Sequence, residues 1–132
     1  MIWVFGWTEY RPGEEGPRTV LSQLESEIMK IMWKEKRATA RTVYSLLNSR
    51  QRVCRSKVNS TMNALCKKGL LSSSIGRGRG GLRYVYRVKV SRGRFEREVV
   101  ETVVGSLLRS FRNSRRIIRR VLEAQGDGGR RS

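Results

Sequence analysis

Between Val53 and Leu70 the chain reads V-C-R-S-K-V-N-S-T-M-N-A-L-C-K-K-G-L. At helical spacing this stretch separates an apolar stripe, Val58, Met62, Leu65 and Cys66, from a polar one, Ser56, Ser60, Asn63 and Lys67. The polar stripe holds hydroxyls, a carboxamide and an ammonium group but no acid, so it can donate to phosphate and to base edges in a major groove. Read alone, it is equally an amphipathic helix with a solvated face. Other chemistry is poorly supplied. The chain has no histidine, and its acids are scattered over termini and helix faces, which leaves no makings for acid/base pairs, triads or carboxylate metal clusters. Cys54 and Cys66 stand roughly 18 Å apart if they share one helix, too far for a disulfide. They also lack metal-ligand spacing, so no metal and no cofactor is expected. Cys66 reads as core, and Cys54, beside arginines, as a less favoured candidate for a reactive thiol.

The balance of charge points to the partner. A chain of 132 residues with a formal charge of +18 calls for a polyanion, nucleic acid before an acidic membrane surface. From Lys36 through Arg94 there is no Asp or Glu, so the basic surface coincides with the proposed helix.

The elements that would position this helix can be read on either side of it. Residues 1–20 combine a short apolar start with R-P-G-E-E-G-P and are expected to be a flexible arm. The apolar run is too short for a membrane span and lacks a secretory leader, so a cytoplasmic protein without a membrane partner is expected. Ser22 and Glu25 form an S-x-x-E capping box opening a helix with Leu24, Ile28, Ile31 and Met32 inward. Thr39 caps a second helix, to about Ser49, with Val43, Leu46 and Leu47 inward. Two helices, a basic link and a third helix with a polar outer face make a helix-turn-helix, whose last helix enters the major groove.

After Gly69 the period becomes two. Leu70–Ile75 and Leu82–Val90 form a hairpin, the latter with Leu82, Tyr84, Tyr86, Val88 and Val90 on one side and Arg83, Arg87 and Lys89 on the other. The tip, Gly76 to Gly81, has G-x-G-x-x-G spacing, but a dinucleotide site needs a helix after the glycines and here a strand follows. A flexible basic loop carrying Arg77 and Arg79 to the nucleic-acid backbone is the better account. From Ser91 onward two helices follow. Val100, Val103, Val104, Leu107, Leu108 and Phe111 on the first, with Ile118, Val121 and Leu122 on the second, are more apolar than a surface requires. They either fold back on their own domain or form a two-fold dimer seam, and the seam is preferred because a winged domain already has a complete core. The expected organisation is mainly α, in an α+β arrangement: arm 1–20, winged helix-turn-helix with a β-hairpin wing 21–90, C-terminal dimerisation helices 91–125, and disordered tail 126–132.

L-S-x-L-E-x-E-I-M-x-I-x-W at Leu21–Trp33, L-C-K-K-G-L at Leu65–Leu70 and S-R-x-x-F at Ser91–Phe95 resemble the penicillinase-repressor family, which includes methicillin-resistance and copper-responsive repressors. The resemblance implies a winged-helix homodimer that represses transcription from palindromic operators in double-stranded DNA. It places Ser56, Lys57, Asn59, Ser60 and Asn63 at the family's recognition-helix contact positions. Arg41, Arg55, Lys67, Arg77, Arg79 and Arg83 complete the expected DNA-binding set. Arg55 replaces a proline common in relatives, the wing is unusually rich in glycine and arginine, and no copy of the Asn-Phe cleavage site used in β-lactam induction is found, so the inducer stays open. A non-specific DNA-packaging or RNA-binding protein is the second reading and an enzyme a distant third.

Overall fold

The computed structural model describes residues 6, 7, 9–78 and 81–128. It is a winged helix. Helix α1 (Gln23–Glu35) begins with the expected capping box: Ser22 Oγ accepts from Glu25 N at 3.1 Å and Glu25 Oε1 accepts from Ser22 N at 2.9 Å. Strand β1 (Arg37–Ala38) follows a turn at Lys36, whose φ is 73°, and leads into helix α2 (Ala40–Asn48), capped by Thr39. Helix α3 (Arg55–Lys67) ends in a Schellman arrangement, with Gly69 at φ 88°, Gly69 N donating to Cys66 O and Leu70 N to Leu65 O, each at 3.0 Å. Strands β2 (Leu71–Gly78) and β3 (Gly81–Val88) form the wing. The sheet order is β1-β3-β2, all antiparallel, with Ala38 and Ser73 flanking Tyr86 and with Ile75 opposite Tyr84.

Val58, Met62 and Leu65 of α3 are fully buried, together with Ile28, Met29 and Met32 of α1, Val43 and Leu47 of α2, and Leu70, Leu71 and Val90. Burying one such side chain contributes about 1.5–3 kcal/mol, so the inner face is what fixes α3 in the domain. Trp33 closes the core: its Nε1 donates to Val90 O at 2.9 Å and its ring lies 5.2 Å from that of Phe95.

Several expectations need correction. Leu46 is exposed, and Leu24 and Ile31 are half-buried, because α1 turns Met29 inward. Cys66 is half-buried rather than core. The glycine-rich segment is not a loop throughout: Gly76 pairs with Arg83, Arg77 with Leu82 and Gly78 with Gly81, so Arg77 stands on a strand. In place of a loose arm, residues 9–20 are tied to the domain. Arg11 N donates to Thr19 O at 2.7 Å, the Arg11 guanidinium donates to the carbonyls of Arg18 and Leu21, and Pro17 and Val20 are buried. Gly6 N donates to Lys68 O at 2.6 Å, while residues 1–5 and 8 of the expected arm lie outside the described residues.

The chain divides into two compact units, Met1–Glu96 and Arg97–Ser132, and helix α4 (Arg92–Ser110) passes from the first into the second. Helix α5 (Ser114–Gly128) runs through Gly126, where the tail was expected to begin, and residues 129–132 of that tail lie outside the described residues. No helix among the described residues is long and apolar enough to cross a membrane.

Candidate nucleic-acid interface

The outer face of α3 is open along its length. Arg55, Ser56, Lys57, Asn59, Ser60, Asn63 and Lys67 are all exposed. Ser60 Oγ donates to Lys57 O at 3.1 Å, which spends its proton within the helix and leaves its lone pairs outward. Cys54 occupies the N-cap position without a side-chain cap bond. A hydrogen bond with the Ser56 hydroxyl is the largest influence holding the Cys54 thiol below its ordinary pKa, whereas burial pushes the Cys66 thiol up. Both thiols are free, and no group of residues able to hold a metal occurs among the described residues.

Beside α3 lies a cleft that the first turn of α2 and the wing complete. Its lining comprises Thr39, Ala40 and Arg41 from the start of α2, Arg55 and Asn59 from α3, and Gly81 to Tyr84 with Tyr86 from the sheet. Three of the expected DNA-binding arginines, Arg41, Arg55 and Arg83, therefore meet here with Asn59. The Arg55 guanidinium sits 5.9 Å from the centre of the Tyr44 ring, a cation–π contact that restricts the side chain while leaving its donors usable. A Cβ on Gly78 would come within 2.8 Å of Arg83 Nε and 3.0 Å of Cζ, so the bare glycine backbone makes room for this guanidinium to cross the wing. Arg77 stands opposite Leu82 near the wing tip, and Arg79 lies outside the described residues.

The alternation expected on the wing is present, but the core covers only its base. Tyr86 is 3% exposed, Tyr84 59% and Leu82 71%, although all three share one face. Tyr86 carries a contact that the helical pattern did not suggest: its hydroxyl donates to Asn63 Oδ1 at 2.9 Å. Burial first, with Cys66 and Tyr84 adding to it, pushes the Tyr86 hydroxyl above its usual pKa, so it remains a donor. Asn63 is thus exposed but not free, as a side chain meant to turn toward any base would need to be. Tyr44, Tyr84 and Tyr86 are the neighbours of the expected site residues that the sequence did not mark as part of the site. For the two on the wing, the run R-Y-V-Y-R from Arg83 to Arg87 was the available signal.

At its far end α3 is anchored to α1. Lys68, the C-cap, places Nζ 2.9 Å from Glu25 Oε1 and 2.7 Å from Oε2. Burial alone would raise the Glu25 pKa, but the hydrogen bonds and charge from Lys68 and the bonds from Ser22 outweigh it and hold the carboxyl below its ordinary value.

In the second unit Val100, Leu107 and Leu108 of α4, Phe111 just after it, and Ile117, Val121 and Leu122 of α5 are exposed. Val103, Val104 and Ile118 are half-buried. A groove with little polar surface runs between Val104 and Leu108 on α4 and Ile118 and Leu122 on α5, edged by Arg115 and Arg119.

The sequence model of the family described as penicillinase repressor matches residues 21–125. No curated protein matches the chain.

Proposed function

Since the chain belongs to the penicillinase repressor family, we propose that it is a sequence-specific repressor that binds palindromic operators in double-stranded DNA as a homodimer in the cytoplasm. The observation that carries this reading is the cleft in which Arg41, Arg55 and Arg83 meet Asn59, beside the exposed polar face of α3. A helix about 10–12 Å across fits a major groove about 12 Å wide, so α3 can bring Ser56, Asn59, Ser60 and Asn63 to base edges. The cations around it then meet phosphate: Arg41, Arg55 and Lys57 on one side, Lys67 at the far end, and Arg77, Arg79 and Arg83 from the wing. No acid between Lys36 and Phe95 opposes that approach.

Two-fold pairing is supported by the second unit, where exposed apolar side chains on α4 and α5, with Phe111 between the two helices, need a cover. A dimer presents two recognition helices, and its symmetry demands an operator of matching symmetry. Occupying such a site blocks transcription from it, which makes the protein a regulator rather than an enzyme. A charge of +18 equally suits non-specific binding of nucleic acid, and one experiment separates the two. Selection of bound duplexes from a random DNA pool should return a motif with two-fold symmetry. A pool that stays random after repeated rounds refutes the proposal in favour of non-specific binding.

A further inference from the structure

Asn63 and Tyr86 come from different elements, α3 and β3, and are joined by a hydrogen bond of 2.9 Å in which the tyrosine hydroxyl donates to the carboxamide oxygen. The two ends of this bond differ in freedom. Tyr86 is 3% exposed and sits on the middle strand, flanked by Ala38 and Ser73, so its ring is fixed. Asn63 is exposed on the outer face of α3. An asparagine reads adenine by setting its oxygen and nitrogen side by side against N6 and N7. Here the oxygen gives one of its two lone pairs to a fixed donor on the sheet, which sets the angle of the planar carboxamide, and Nδ2 is the end left for the groove.

We infer that Tyr86 is a positioning residue for base recognition, holding Asn63 so that it reads base acceptors with Nδ2 alone instead of pairing bidentately with adenine. Guanine, with acceptors at N7 and O6, and thymine, with O4, meet such a donor without opposition; adenine offers N7 but sets its own N6 donor beside it. This inference rests on the DNA-binding reading above and deepens it.

The test selects bound sequences from a random DNA pool with the full-length protein, Tyr86→Phe, Asn63→Ala and the double variant in parallel. The wild-type motif should carry guanine or thymine at one position per half-site, and Asn63→Ala should flatten preference there. Tyr86→Phe, which removes only a hydroxyl, should shift that position toward adenine by about five-fold or more, the lower end of what a bidentate pair discriminates. In the Asn63→Ala background it should change nothing at that position. An unchanged motif in a folded Tyr86→Phe variant overturns the inference. If that variant melts below the assay temperature, the wild-type and Asn63→Ala motifs still decide: guanine or thymine at the flattened position supports the inference, and adenine overturns it. A wild-type pool without any motif fails the DNA-binding proposal itself and takes the inference with it, a result distinct from a motif that ignores Tyr86.

Discussion

Replacing Glu25 by Gln probes how α3 is held. The carboxylate accepts from Ser22 N and from Lys68 Nζ, and the side chains of Glu25 and Lys68 are 10% and 31% exposed. An exposed ion pair contributes about 0–1 kcal/mol, and breaking a fully buried one costs about 3–5 kcal/mol. This pair lies between those limits, nearer the exposed one because water still reaches Lys68. A loss of about 1–2 kcal/mol is therefore expected. Glutamine still accepts from the N-cap backbone, so the further ~1 kcal/mol of a lost cap is not added. For a domain of this size the loss corresponds to a fall in Tm of roughly 5–10 °C. Dependence on pH supplies an independent check. Folding lowers the Glu25 pKa from its ordinary value of 4.5. Its contribution is thus complete above that value, declines as pH falls through the lowered one, and is absent below both. Thermal melts by circular dichroism should show the wild type ahead of Glu25→Gln at about pH 7, with the gap closing in acid. Equal stability near neutrality, or a gap that persists in acid, would refute this account of the anchor.

Leu107→Glu or Leu108→Glu places a charge on the proposed seam, where burial without a partner costs several kcal/mol, and should yield monomers with an intact winged domain. Sedimentation with circular dichroism checks this, and a variant that stays dimeric would move the seam elsewhere. Gly78→Ala should leave the melting temperature nearly unchanged, because the far end of Arg83 can move aside, yet weaken operator and random DNA alike and flatten the salt dependence by about one unit. Electrophoretic or fluorescence titrations over a salt series would detect it, and an unchanged slope removes Arg83 from the phosphate contacts. By the same assay Arg55→Ala and Arg77→Ala should each lower the slope by about one unit with little change in base preference. Altered preference with an unchanged slope would make either arginine a reader of bases.

Features set by near neighbours were legible in the sequence. The Ser22–Glu25 box, the Thr39 cap and the Gly69 stop depend on residues three or four apart, and the two faces of α3 follow from its period. What depends on distant partners was hidden. Gly76 to Gly81 looked like a loop because glycine is a weak strand former, but pairing of Gly76, Arg77 and Gly78 with the facing strand overrides that preference. Strand β1 has two residues, too short to show a period, and exists because β3 offers it an edge. Asn63 carries an acceptor of its own, and nothing in its helix shows that Tyr86 will occupy it. The N-terminal segment looked loose from its prolines and glycines, yet Arg11 supplies donors to carbonyls seven and ten residues on.

The central claim is that this basic winged helix distinguishes one DNA sequence from others. It is tested most directly by titrating the wild-type protein against the duplex recovered by selection and against a scrambled duplex of equal length, both near physiological salt. The account predicts a ratio of affinities of about 10³ or more, with protein bound to the selected duplex as a dimer. A ratio near one, with affinity set by salt alone, would contradict it.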